Sequence, residues 1–419
     1  MSSYSEQNWS GYAAFHRSAI HEPTSTAELQ KLVASAERVG VIGSRHSFND
    51  IADTTGDLVW LGRLDPALDI DPQQMTASFG AGTTYEQLAP KLHEAGLALA
   101  NTASLTHITV AGACATGTHG SGNRLGNLST AVSELELVTA TGDLLTLRRG
   151  DENFDGAVVA LGGLGVVSRL TVDVEPTFEV RQYIYTDLHF DDFYNHFDEV
   201  TSAGYSVSLF PSFQHPWSET VWVKERLNAH TSSDPTPNLF GAALQLEHPK
   251  PARSDRTMTE LDTPGPWHER LPHFSFLDPM AEATELQSEY FVARDVAVDA
   301  IKAVAELGPE MADIIEISEL RTIAADQLWL SPAYGSDSVA IHFNWYKDAA
   351  GVEAVLPILE AALAPFSPRP HWGKLFDLTP QQIEAAYPRI DDFRRLRHDL
   401  DPDQKFTNRY LQTHVLNEG

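Results

Sequence analysis

Two glycine-rich loops, Gly40-x-x-Gly43-Ser44 and Thr116-Gly117-Thr118-His119-Gly120-Ser121-Gly122, carry the first chemical signal in this sequence. Backbone N–H groups in such turns hold a pyrophosphate without needing cationic side chains. Either loop alone is satisfied by a tight turn; together they favour a bound nucleotide. A nicotinamide dinucleotide on a Rossmann fold is not expected, because that fold needs G-x-G-x-x-G between a strand and a helix. Gly80-Ala81-Gly82-Thr83-Thr84-Tyr85 and Gly163-Leu164-Gly165-Val166-Val167-Ser168 both lack the third glycine. The chain has 17 histidines, but no H-E-x-x-H, and His268 and His273 lack a matching third ligand, so no metal is expected. Ser104 stands outside any G-x-S-x-G elbow, which leaves acyl transfer without support.

The composition narrows the partners. Across 419 residues, 58 acidic side chains face 29 basic ones, giving a formal net charge of −29. Nucleic acid and anionic membrane surfaces demand clustered Lys and Arg, so neither is an expected partner. Cys114 is the single cysteine, which removes disulfide frameworks and thiolate metal cages. The first twenty residues show no cationic, then apolar, leader pattern, and no run approaches the roughly 20 apolar residues of a membrane span. The expectation is a cytoplasmic monomer of two or three domains.

The loops need elements to hold them. Ser25 and Glu28 form a capping box ahead of Leu29, Leu32, Val33 and Ala36 at helical spacing. Short strands are expected at 39–42, 58–61 and 76–79. Thr83 and Glu86 read as a second capping box, opening a helix that Pro90 should kink and Gly96 should stop. Residues 101–175 are rich in Gly, Ala, Ser and Thr, with a strand pair at 132–138 and 144–147. Aromatic residues become dense after 176, and residues 228–275 read as a long, packed irregular segment. Strands return at 314–320 and 339–345, followed by a helix near 351–363.

Several motifs together resemble one family. Gly43-Ser44-Arg45-His46-Ser47-Phe48, Ala103 to Gly112 and Thr116 to Gly120 are similar to the vanillyl-alcohol-oxidase superfamily of FAD enzymes, and most of all to its alditol (xylitol) oxidases. The likeness continues through Leu286 to Tyr290, Glu319 to Thr322, Trp329 to Tyr334, His371 to Lys374 and Lys405 to Asn408. It implies an α+β fold: an FAD-binding domain from residues 1–175 and 366–419, and a substrate domain of antiparallel sheet and helices over 176–365. It also implies that FAD is bonded covalently to His46, with Gly43, Ser44, Arg45, Ser47, Thr109, Gly112, Thr116, Gly117, Thr118, His119, Gly165 and Val166 around it. Apart from the family likeness, His46 reads as a loop histidine bonded to a carbonyl.

Alcohol oxidation by hydride transfer needs cations beside the reacting hydroxyl, because a neutral alcohol is too weak an acid to ionise unaided. The family positions assign that role to Arg321 and Lys374. Glu319 lies two residues before Arg321 on a strand and shares its face, able to hold Arg321 and bond a substrate hydroxyl. His342 and Asn344 share a face of the next strand. Ser104 and Gln287 complete a pocket of neutral groups suited to a polyhydroxylated chain. The plainer alternatives are a surface ion pair for Glu319 and Arg321, a half-exposed strand face for His342 and Asn344, and a solvated amide for Gln287.

The implied reaction oxidises the terminal hydroxyl of a neutral polyol such as xylitol or sorbitol to the aldose, with O2 reduced to hydrogen peroxide. A polyol or aldonolactone dehydrogenase is the nearest alternative, and a non-catalytic carbohydrate-binding flavoprotein a more distant one. Asn344 stands where the alditol oxidases carry Thr, which bears on polyol length. Ala103, beside Ser104, occupies a position that affects oxidase against dehydrogenase behaviour in related aldonolactone enzymes.

Overall fold

The computed structural model describes residues 6–227, 235–247, 256–277 and 283–417. Residues 228–234 and 248–255 of the expected irregular segment at 228–275 therefore lie outside the described residues, and the rest holds short strands and the Trp267–Arg270 turn of helix.

Three sheets carry the architecture. A small parallel sheet joins Ala19–His21, Asp57–Trp60 and Val39–Ile42, in that order. Its last strand runs directly into the Gly43–Ser47 loop. A second, antiparallel sheet orders Asp69–Asp71, Thr76–Gly80, Val166–Asp173, Val132–Val138 and Leu144–Arg148. Alternation is clear in Val166–Asp173, whose residues are buried and half-buried by turns, as a sheet with one covered face requires. The third sheet is large and antiparallel, and its strands all fall between Glu179 and Pro370.

The middle of this large sheet positions the chemistry. Glu285–Ala293, Ser338–Tyr346 and Ile315–Ile323 lie side by side. Glu289 pairs with His342, and His342 with Glu319, so three ionisable side chains form one row across the sheet. Gln287 and Asn344 form the neighbouring row. The opposite parity carries Ser288, Phe343 and Trp345, all wholly buried. There Tyr290 Oη donates to Glu360 on the Ala349–Leu363 helix at 2.6 Å. Period-two alternation thus gives the sheet one apolar face against helices and one polar face toward a cavity.

The helices differ from expectation in detail. Ser25 caps Thr26–Ser35 through Glu28 N–H, but the Glu28 carboxylate reaches Thr24 N–H rather than closing the box. The second box shifts by one residue: Thr84 and Gln87 cap Tyr85–Glu94, because the Thr83 carbonyl is taken by Val110 N–H. Pro90 does not end that helix, which runs on to Glu94. One stretch, Ala349–Phe366, is long and apolar enough to cross a membrane by length and composition, against the expectation of none. Val352, Val355, Leu356, Leu359 and Leu363 from it are buried in the common core, which reaches from Leu29 to Val415.

Candidate active site

An elongated cavity of about 530 Å³ runs from the Gly43–Ser47 loop to the polar face of the large sheet. Of the sequence-picked residues, Gly43, Ser44, Arg45, His46, Ser47, Thr109, Gly112, Thr116, Thr118, His119 and Gly165 line it at one side. Ser104, Gln287, Glu319, Arg321, His342, Asn344 and Lys374 line the other. Gly117 and Val166 do not line the cavity. Gly117 turns the chain at φ +66°, where a Cβ would meet Pro332, and Val166 is buried in its strand.

The loop end is made of backbone and small side chains. A Cβ at Gly43 would come within 2.2 Å of Thr109 Oγ1, and one at Gly112 within 2.7 Å of the same atom. Only glycine allows this close approach. Ser44 Oγ accepts from Thr109 N–H at 3.2 Å, tying the two segments together. Arg45 sits at φ +58°, a left-handed conformation that costs a non-glycine residue about 1 kcal/mol, and it aims the following His46 at the cavity. Trp9 stacks on the His46 ring at 4.4 Å, and His107 meets it edge-on at 4.8 Å. His107 Nε2 faces His46 Nδ1 at 3.4 Å, and burial lowers the pKa of His107.

These residues fit a dinucleotide such as FAD. Among the described residues, the amides of Ser44, Arg45 and Ser47 donate to no backbone carbonyl, leaving N–H groups for a pyrophosphate. Val132, Leu135, Leu164 and Leu170 supply an apolar stretch of wall beyond them.

The sheet end is made of buried charge. Lys374 Nζ donates to Glu289 Oε2 at 2.7 Å and to His342 Nδ1 at 2.8 Å. Since Nδ1 accepts, the His342 proton sits on Nε2, which donates to Asn344 Oδ1 at 2.6 Å. Burial, assisted by the Lys374 ammonium, brings the His342 pKa down to about 4. Burial would raise Glu289, but Lys374, His119 and His342 outweigh it and hold the carboxyl well below its usual range. His119 Nε2 lies 3.1 Å from Glu289 Oε1 and its Nδ1 2.7 Å from Gly120 O. Both ring nitrogens thus face acceptors, and His119 ties Glu289 to the Thr116–Gly122 loop that lines the cavity.

A parallel arrangement holds Arg321. Its Nε donates to Glu319 Oε1 and its Nη2 to Glu319 Oε2, each at 2.5 Å, and Nη2 also reaches Ser104 Oγ at 2.7 Å. Burial would raise Glu319, but Arg321 and His273 hold it well below the ordinary carboxylate range. Glu319 and Arg321 are both largely buried, so the surface ion pair is excluded. His342 is 8% exposed, which excludes a half-exposed position for it, while Asn344 beside it is half-buried.

The two ends are pinned to each other. Phe48 N–H donates to Gly373 O at 2.7 Å, and Asn49 Nδ2 donates to the carbonyls of Trp372 and Lys374 at 2.8 Å. His371 N–H and Leu375 N–H in turn bond the Glu289 and Gln287 carbonyls. The loop bearing His46 and the loop bearing Lys374 therefore share one hydrogen-bonded frame. Gln287 itself donates to Glu285 Oε1 at 2.9 Å, so it is not a solvated amide.

Three participants escaped the sequence reading. Glu289 was accessible to it, since period-two alternation places it on the face of Gln287. His273 and Lys224 were not: His273 comes from the irregular segment, and its Nε2 nevertheless lies 2.7 Å from Glu319 Oε1.

Comparison with known proteins agrees with this geometry. Residues 18–148 match the FAD binding domain family, and residues 286–414 match the D-arabinono-1,4-lactone oxidase family. The chain is 44% identical to alditol oxidase from a Streptomyces species over 97% of both chains. It is 32% identical to L-gulono-1,4-lactone dehydrogenase of Mycobacterium tuberculosis, again over 97% of both. Cholesterol oxidase from Brevibacterium sterolicum shares the fold, with a TM-score of 0.78 at 16% identity over 98% of this chain and 96% of that one. The chain belongs to the vanillyl-alcohol-oxidase superfamily of FAD enzymes, on the branch that holds the alditol oxidase and aldonolactone enzymes.

Proposed function

We propose that this chain oxidises the terminal hydroxyl of a neutral polyol such as xylitol or sorbitol to the aldose, with FAD attached through His46. The observation that carries this reading is the pair of buried cations, Lys374 and Arg321, each matched by its own buried carboxylate on one cavity face. Such a face is strongly polar yet close to neutral overall, which suits an uncharged, hydroxyl-rich substrate. The alditol oxidase relative supports the same substrate class.

Each group has a task. Lys374 spends two N–H groups on Glu289 and His342, which leaves a third for the substrate oxygen. Arg321 keeps its Nη1 edge for the same oxygen after Nε and Nη2 have bonded Glu319 and Ser104. Both stabilise the alkoxide as its proton leaves. His342 is held neutral and can take that proton at Nδ1 when Lys374 turns toward the oxygen. Asn344, Gln287 and Ser104 orient the remaining hydroxyls. The Gly43–Ser47 loop and His46 would hold FAD, which would supply the acceptor for the carbinol hydride and the route for two electrons to O2, giving hydrogen peroxide.

Acid denaturation of the purified protein tests the attachment: yellow colour stays with the polypeptide, and free flavin in the supernatant overturns the assignment to His46. Xylitol bleaches the flavin under nitrogen and yields peroxide in air. Bleaching by xylitol with reduction of an artificial dye only, and no peroxide, would instead favour the dehydrogenase reading that the Mycobacterium relative's name suggests.

A further inference from the structure

Behind the Glu319–Arg321 pair lies a second pair of titratable groups. Lys224, on the Trp217–Leu227 strand, is 1% exposed and does not line the cavity. Its Nζ donates to the carbonyls of Leu271 and Pro272 and faces His273 Nδ1 at 3.4 Å. Burial lowers its pKa, yet three acceptors around one nitrogen suit an ammonium, which spends all of its N–H groups there. His273 does line the cavity, with Phe210 and Trp222 against its ring.

We propose that Lys224 and His273 are positioning residues: Lys224 fixes the His273 proton on Nε2, and that N–H locks Glu319 and, through it, the Arg321 fork. The inference rests on the reading of Arg321 as a group that touches the reacting oxygen. An ammonium facing Nδ1 makes that nitrogen an acceptor, so Nε2 carries hydrogen and donates to Glu319 Oε1 at 2.7 Å. Glu319 then accepts from His273 and from both Arg321 nitrogens, which leaves the guanidinium one orientation, with Nη2 on Ser104. Nε2 also lies 2.9 Å from Arg321 Nη2, so the opposite tautomer would accept from that nitrogen, set its lone pair against the Glu319 carboxylate, and trade the lock on Glu319 for a pull on the guanidinium itself.

The charged groups facing His273 are Glu319 and Arg321 from one strand and Lys224 from another. Burial lowers its pKa to about 4, with Lys224 and Arg321 assisting and Glu319 opposing, so the ring is neutral above that pH. Removing the Lys224 charge raises the pKa. His273 then protonates in mildly acidic solution and places a new cation beside Arg321.

The test is anaerobic flavin reduction by xylitol across pH 5–8, with full-length variants carrying their flavin. Lys224→Met slows reduction by about ten- to a hundredfold and adds an acid limb shifted upward by about one pH unit or more. In the double variant Lys224→Met with His273→Gln the limb vanishes, since glutamine does not titrate. A Lys224→Met profile that matches the parent, or a limb that survives in the double variant, overturns the proposal. If Lys224→Met does not fold, two single variants decide. His273→Gln keeps an N–H for Glu319 and stays within about threefold, whereas His273→Leu loses about tenfold or more; equal rates overturn the proposal. Arg321→Met separates the underlying reading, for unchanged reduction there removes Arg321 from the chemistry whatever Lys224 does.

Discussion

The two ends of the cavity are built by opposite means. At the His46 end, recognition lies in backbone amides, glycines without room for a Cβ, and a histidine clamped between Trp9 and His107. At the large sheet it lies in buried ions, each held by a partner of opposite sign. The first end tolerates a chain of net charge −29 because it asks for no cation. The second concentrates cations only where carboxylates neutralise them. Sequence changes should therefore fail differently: by steric exclusion at one end and by stranded charge at the other.

The largest effect is expected at the charged end. Lys374→Met removes a donor to the developing alkoxide and should lower the rate of anaerobic flavin reduction by about 10²–10³. It also leaves Glu289 buried with only His119 and His342 beside it, so stability should fall by about 3 kcal/mol in denaturant titration. A near-normal reduction rate in a folded Lys374→Met would sink the alkoxide role.

At the loop end the corresponding change is Gly43→Ala, whose methyl group would lie 2.2 Å from Thr109 Oγ1. The Val39–Ile42 strand and the Val110–Ala115 helix must then part, at a cost of about 1–3 kcal/mol. Flavin content per polypeptide should drop while the pH profile of whatever holoenzyme remains is unchanged. An altered pH profile with full flavin content would mean that the two ends are not separable in this way.

The same contrast explains what the sequence could and could not show. Strand parity is local, so Glu319 with Arg321 was within reach of spacing arguments, whereas the approach of Gly43 to Thr109, 66 residues away, was not. Register is not local: nothing within Ile315–Ile323 says that Glu319 faces His342 rather than Asn344. The cap of Tyr85–Glu94 shifted by one residue because both Thr83-x-x-Glu86 and Thr84-x-x-Gln87 satisfy the pattern, and a distant amide, Val110 N–H, decided between them. His273 was hidden for the same reason, since a segment without periodicity gives no face to assign.

A smaller effect separates the frame from the site. Glu360 is buried beside Tyr290 and accepts from Asp377 N–H at 2.7 Å, bracing the chain that follows Lys374. Burial raises its pKa to about 7, only partly offset by those bonds. A carboxyl raised in the folded state contributes stability below its unfolded pKa near 4.5, and that contribution is lost as pH rises through about 7. Glu360→Gln should therefore flatten stability between pH 5 and 7 and leave the variant about 1 kcal/mol ahead of its parent at pH 8. Unchanged pH dependence of the melting temperature would show that Glu360 titrates normally.

The smallest effect should distinguish binding from chemistry within the charged end. Asn344 accepts the His342 Nε2–H, so its amide oxygen is committed and its NH2 group remains for a substrate hydroxyl. Threonine there places its hydroxyl one bond closer to the backbone, which lengthens the reach to both His342 and the substrate. Because the Asn344 amide serves a hydroxyl other than the one between Lys374 and Arg321, and bonds His342 at Nε2 rather than at the Nδ1 that takes the proton, Asn344→Thr should change KM a few-fold, differently for xylitol and sorbitol, with kcat nearly constant. A fall in kcat at constant KM would place Asn344 in the proton path through His342 instead.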